Sequence, residues 1–156
     1  MPAPEKTQAA TLEKFIDAWK RWDAQEWLAL FSDGFTQVTL PLGLGIPSRP
    51  RAQVAQVLPA LMATVKSYEL TVRHVVHDAA NNKAAIYASS KGTLPWGKWQ
   101  MDYAAFLTFS EAGDKVDAVE EMLDTARLQE FGPKFGEYLA ANGGPVAVAT
   151  GIKQTV

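Results

Sequence analysis

At Tyr68 the spacing of apolar residues changes from a period near 3.6 to a period of 2, and this switch constrains the fold more than any other feature of the chain. Before it, Leu12, Phe15, Ile16, Trp19 and Trp22 recur at steps of three and four, which predicts an amphipathic helix. Asp23, with Glu26 three residues on as in a capping box, starts a second helix with Trp27, Leu28, Leu30 and Phe31 on its buried side. Ser32-Asp33-Gly34 is its expected end. A β-prone run from Phe35 to Leu40 stops at Pro41, and the Gly- and Pro-containing stretch to Pro50 reads as a loop. A third helix begins near Pro50 with Ser48 as its cap; its stripe is Val54, Val57, Leu58, Leu61, Met62 and Val65, and Pro59 predicts a kink.

After the switch come four β-prone runs, over about 68–77, 83–93, 98–109 and 115–123. Asp78-Ala79-Ala80-Asn81-Asn82 and Glu111-Ala112-Gly113-Asp114 are hairpin turns, and Leu94-Pro95-Trp96-Gly97 links the middle pair. A last helix carries Leu128 and Phe131, breaks at Gly132-Pro133 and resumes with Phe135, Tyr138 and Leu139. The order predicts an α+β domain over 1–142, a four-stranded antiparallel meander with helices on one face, and a C-terminal extended tail over 143–156. A curved sheet around a long helix encloses a cone, and a cone lined by aromatics is a small-molecule pocket.

Composition narrows the function classes. With 15 Lys plus Arg against 17 Asp plus Glu, the net charge of −2 offers no basic field for nucleic acid. The absence of Cys removes disulfides, thiolate nucleophiles and zinc–thiolate sites, and two His make a dedicated metal site an unexpected feature. No apolar run reaches the ~18 residues of a membrane span, and Met1-Pro2-Ala3-Pro4-Glu5-Lys6 lacks the build of a signal peptide, so a cytoplasmic protein without membrane contact is expected.

Three stretches carry a family likeness: Phe15-Ile16-Asp17-Ala18-Trp19; Val75-Val76-His77-Asp78 followed by Lys83-Ala84-Ala85-Ile86-Tyr87-Ala88; and Gly113-Asp114-Lys115-Val116 with Glu120-Glu121-Met122-Leu123-Asp124. Over roughly 8–140 the chain resembles the NTF2-like superfamily, and within it the SnoaL-like proteins of fungal natural-product pathways. The resemblance implies the NTF2-like cone. It also implies a cofactor-free enzyme on a hydrophobic carbonyl compound and a homodimer formed through the outer sheet face. Relatives of this type include ketosteroid isomerase, polyketide cyclases, scytalone dehydratase and limonene epoxide hydrolase, alongside non-catalytic transport and scaffold members. Trp19 and Trp22 occupy the stripe where ketosteroid isomerase carries a tyrosine donor.

Strand alternation sorts the polar residues by face. His74 shares a row with Leu70, Val72 and Val76, and a His there can act as acid or base near neutrality. Asp102 shares a row with Ala104 and Phe106, opposite that of Met101 and Tyr103. Glu120 and Glu121 point to opposite faces, and Glu121, in the row of Val119 and Leu123, is the expected inward one. His74, Asp102 and Glu121 are the expected acid–base set. Tyr87 and Tyr103 are the candidate donors to an enolate oxygen, and Arg49 or Arg51 can reach over the pocket mouth. Trp19, Trp99 and Phe106 are the expected pocket wall. His77 and Asp124 read as structural, the first at a turn and the second as the cap of the last helix. The combined expectation is a cofactor-independent isomerase or cyclase on an aromatic polyketide or meroterpenoid-like intermediate. A dehydratase on a similar substrate and a non-catalytic binding or scaffold module are the alternatives.

Overall fold

The computed structural model describes residues 5–144, in which four helices accompany one curved, open sheet. The first apolar stripe forms α1 (Glu5–Arg21) and buries Leu12, Phe15, Ala18 and Trp19. Asp23 caps α2 (Ala24–Leu30) by accepting from the Glu26 backbone N–H. The chain passes from Leu30 straight into β1 (Phe31–Leu40), earlier than Ser32-Asp33-Gly34 predicts. Tertiary packing overrides the local turn residues here: Phe31 and Phe35 are both buried and stack at 3.8 Å. A two-residue strand, β2 (Arg49–Pro50), leads into α3 (Arg51–Thr64), so the residue flanking the helix is Pro50 and Ser48 caps nothing.

The period-2 half forms β3 (Lys66–Asp78), β4 (Lys83–Leu94), β5 (Gly97–Phe109) and β6 (Val116–Leu123). Asp124 then caps α4 (Thr125–Ala141), accepting from Ala126 and Arg127 N–H at 3.1 and 3.2 Å. The interruption expected at Gly132-Pro133 does not occur, and the helix runs through it. Leu128, Phe131, Phe135 and Leu139 keep their three-and-four spacing across that pair, and burying this stripe outweighs the hydrogen bond that Pro133 removes. The expected tail lies, from residue 145 onward, outside the described residues. Among the described residues no helix is long and apolar enough to cross a membrane.

The sheet order is β2-β1-β6-β5-β4-β3. β3 to β6 form the antiparallel meander, but β1 joins it parallel to β6, and β2 adds antiparallel to β1. The strand among the helices thus makes the sheet six-stranded. Its concave face carries buried Ile86 and Ala88 of β4, Met101, Tyr103, Ala105 and Leu107 of β5, and Val119 of β6. Phe15 and Trp19 of α1 pack into this concavity, with Trp19 edge-on to Tyr103 at 5.1 Å and stacked on Trp27 at 5.6 Å. Polar contacts fix the helix along its length. Thr11 donates to the Gly113 carbonyl at 2.6 Å, and Gln8, fully buried, bonds Asn82 and His77 in and beside the β3–β4 turn. The convex face leaves Val76, Tyr87, Phe106 and Met122 exposed.

Phe15 is wholly buried and meets both Trp19 and Trp27, so its removal opens the centre of the core. Phe15→Ala should lower the unfolding free energy by about 3–5 kcal/mol. Urea denaturation followed by far-UV circular dichroism measures this, and a loss below about 1 kcal/mol would show that α1 is not seated as described.

Candidate active site

Between the concave face, α1, α3 and α4 lies a cavity of about 140 Å³. One water needs roughly 10–15 Å³ of such space, so the cone is not packed shut. Its walls are aromatic and aliphatic: Trp19 and Trp27 on one side, Val54 and Leu58 of α3 on another, Phe131 and Phe135 of α4 closing it. Into these walls are set five polar side chains, Gln37, Thr39, Arg49, Tyr103 and Glu121.

Four of the five come together through sheet pairing. Thr39 sits beside Glu121 in the parallel β1–β6 ladder, and Gln37 lies opposite Arg49 in the antiparallel β1–β2 pair. Alternation puts Phe35, Gln37 and Thr39 on one face of β1, and Val119, Glu121 and Leu123 on the same face of β6. Burial pushes the Glu121 carboxyl up from 4.5 to about 7, against the smaller opposing effects of the Gln37 side chain and the Arg49 guanidinium. Burial also lowers Arg49, opposed by the Glu121 charge, but a guanidinium remains a cation throughout.

The fifth group belongs to a chain of donors. Trp99 Nε1 donates to Ser90 Oγ at 2.9 Å, and Ser90 Oγ shares a hydrogen bond of 2.8 Å with the Tyr103 hydroxyl. At the other end Trp19 Nε1 donates to the Tyr68 hydroxyl at 2.8 Å, and this hydroxyl faces those of Tyr103 and Ser90. Burial pushes Tyr68 up to about 12 and Tyr103 well above its ordinary value, so both remain protonated. The two indoles can only donate. Either oxygen of the Ser90–Tyr103 pair can donate in their shared bond, so Ser90 can donate to Tyr103 and leave the Tyr103 hydrogen for a ligand oxygen; of the three hydroxyls only Tyr103 lines the cavity.

Of the residues expected from the sequence, Glu121, Tyr103, Trp19, Trp99 and Arg49 stand in the cavity, and His74, Asp102, Tyr87, Phe106 and Arg51 do not. His74 is exposed on the convex face: a bulge between Val72 and His74 inserts one residue, so Leu70 and Val72 face inward and His74 and Val76 outward. Asp102, Tyr87 and Phe106 lie on the convex face as well, because the inward row of β5 is that of Met101, Tyr103 and Ala105. Arg51 opens α3 and donates to the Leu28 carbonyl at 3.1 Å, so the cavity arginine is Arg49, held on β2. Gln37, Thr39, Tyr68 and Ser90 were not anticipated. The signal for two of them was present, since Tyr68 shares the row of Leu70 and Val72, and Ser90 that of Ile86 and Ala88.

No family profile matches the chain. It is 69% identical over 152 residues to "Monooxygenase AgnL5" of Paecilomyces divaricatus, covering 97% of this chain and 94% of that one. It is 65% identical over 154 residues to "Monooxygenase AacuO" of Aspergillus aculeatus, covering 99% and 96%. Among solved structures, the BvnE pinacolase of Penicillium brevicompactum superposes with a TM-score of 0.72 at 19% identity, over 87% of this chain and 92% of that chain. An NTF2-like protein of unknown function from Burkholderia pseudomallei superposes with a TM-score of 0.63 at 12% identity, over 78% and 94%. These likenesses show the NTF2-like cone fold.

The raised acidity of Glu121 has a stability consequence of definite sign. Its pKa in the folded state, about 7, exceeds the value of 4.5 expected when unfolded, so the folded chain holds the extra proton between these limits. The associated stability is fully present below pH 4.5 and lost as pH rises through 7. Glu121→Gln should gain on the parent by about 1–3 kcal/mol between pH 4.5 and pH 8, a range that allows for the carboxyl's residual exposure. Urea unfolding of both proteins at the two pH values measures it, and a difference independent of pH would remove the raised acidity.

Proposed function

The chain belongs to the family of fungal proteins that includes AgnL5 and AacuO, and from that premise and the geometry of its cavity we propose an acid–base enzyme of fungal natural-product biosynthesis. The proposed reaction is isomerisation or cyclisation of a hydrophobic aromatic polyketide or meroterpenoid-type carbonyl compound. The observation that carries the reading is Glu121, the one carboxyl lining an aromatic cavity, with an acidity near neutrality. In this reading the Glu121 carboxylate removes a proton beside a substrate carbonyl. Tyr103 donates its free hydrogen to the oxygen on which the negative charge develops. The protonated Glu121 then returns the proton at another carbon, or the enolate carbon adds to a second carbonyl of the substrate to close a ring, and the C=O π bond broken there becomes an alkoxide that takes the proton back from Glu121. No group leaves the protein and Glu121 ends as it began. Trp19, Trp27 and Phe131 give a flat ring system faces to stack on.

The names of the relatives favour a second reading. The same carbanion can surrender electrons to dioxygen, converting a CH2 to a carbonyl with release of water. Glu121 is the base in both, so the two readings differ only in what the carbanion meets next.

As part of the same proposal, two copies pair through the convex face. Tyr87, Ala104 and Met122 form one cross-strand row there, ended by His74, and Val76, Ala85 and Phe106 the next, ended by Glu120, giving an apolar patch over four strands with a polar residue at one end of each row. Phe106→Glu should convert a dimer to a monomer in sedimentation velocity. A monomeric parent, or a dimeric variant, would end this part of the proposal.

The chemistry is tested with anthrones, hydroxylated anthraquinones and xanthones in D2O under 18O2, read by mass spectrometry. Deuterium gain without 18O supports isomerisation or cyclisation, and 18O gain with oxygen uptake supports the second reading. In either case Glu121→Gln should slow turnover by about 10²–10⁴-fold, with the parent's rate rising through a limb near pH 7. Undiminished turnover in that variant would refute Glu121 as the base.

A further inference from the structure

The balance of donors and acceptors in the cavity restricts its ligand further than the proposed chemistry does. This inference rests on that cavity being the substrate site. Arg49 lines it with a half-buried guanidinium that makes no hydrogen bond or ion pair among the described residues. It cannot deprotonate, and its planar fork matches a carboxylate or a pair of oxygens sharing a negative charge. Trp27, 7% exposed, also lines the cavity, and its indole N–H is buried with no protein acceptor. Tyr103 offers a third donor through the hydroxyl chain. Against these stand one carboxyl, Glu121, and the amide and hydroxyl of Gln37 and Thr39, which can serve either way.

A cavity with this inventory is filled well by oxygen acceptors and poorly by donors. Its one permanent charge within reach of a ligand is positive. Arg49 and Glu121 come from strands with β1 between them, so their backbones are roughly 10 Å apart. A ligand can thus rest an anionic oxygen on Arg49 while a different part of its ring system lies against Glu121. We propose that the cavity selects an aromatic ligand bearing an acidic oxygen, a carboxylate or an ionised enol, and that Arg49 is the residue that selects it. A cationic or amide-bearing ring system of the same shape is disfavoured, because it brings donors to a wall of donors.

The test compares 2-naphthoate with 2-naphthamide, two flat bicyclic probes of nearly equal shape, by isothermal titration calorimetry on the whole protein at pH 6.5. The acid should bind at least tenfold more tightly than the amide. Arg49→Met should abolish that preference while changing the amide's affinity less than about threefold, which shows that the cavity is intact. Equal affinities in the parent, binding of neither probe up to 1 mM, or a preference that survives in Arg49→Met would each overturn the inference. Turnover is read separately. A protein that prefers the acid but exchanges no deuterium keeps this inference and loses the proposed base chemistry, and the reverse outcome does the opposite.

Discussion

Parallel pairing of β1 with β6 is the constraint on which the site depends. Thr39 and Glu121 lie 82 positions apart in the chain and side by side in the sheet. Without β1, β6 would be an edge strand and Glu121 a carboxylate at a wet rim. With it, β6 is paired on both sides, Gln37 and Thr39 stand next to the carboxyl, and β2 brings Arg49 along as a further strand. One long-range pairing therefore satisfies the backbone, dries the carboxyl and supplies the groups around it. Because it is parallel, it cannot close through a short turn, and the chain between the two strands holds β2, α3 and the first three strands of the meander. The site forms only when the entire sheet does.

The same dry cavity acts on its two kinds of acid in useful opposition. Burial raises Glu121, which makes its carboxylate a better base, and burial raises Tyr68 and Tyr103, which keeps their hydroxyls as donors. Base and donor thus come from one environment, without separate arrangements for each. The opposing influences of Gln37 and Arg49 keep Glu121 near neutrality, where it can both take and return a proton. Such a carboxyl weakens the fold wherever it is ionised, which is the kind of strain that persists at functional sites and is offset elsewhere. Here the offset is visible in the aromatic interior, where Phe15, Trp19 and Trp27 bury large surfaces against one another.

Local physics was legible in the sequence and long-range pairing was not. The period switch at Tyr68, the caps at Asp23 and Asp124 and the turns after Asp78 all act over a few residues, and each could be read directly. The α+β cone followed from them. Three failures came from parity: alternation tells which residues share a face, but it does not tell which face is inside. Asp102, Phe106 and Tyr87 fell on the wrong side for that reason. His74 failed through the bulge beside it, which a period-2 reading steps over. Glu121 was reachable because its row-mates Val119 and Leu123 are apolar, while Arg49 could not be separated from Arg51 until β2 fixed its direction. Gln37 and Thr39 gained meaning only once β1 had a neighbour.

Proton removal is common to isomerisation and to oxygenation, so the carboxylate does not decide between them. The decision lies with the oxygen of the carbanion formed. A strong hydrogen bond from Tyr103 draws charge onto that oxygen, leaves the carbon less able to give electrons to dioxygen, and favours return of the proton at a second carbon. A weak one leaves the carbon electron-rich. The strength of that bond is set by how the Tyr103 oxygen is itself served. With its own hydrogen turned to the ligand, it can accept from Ser90, whose oxygen is held by Trp99, and it faces Tyr68, whose oxygen is held by Trp19. Each hydrogen bond accepted polarises the hydroxyl and makes it a better donor. In the proposed acid–base reading, this wiring serves Tyr103 as the donor to the oxygen on which negative charge develops, the role that favours return of the proton over transfer of electrons.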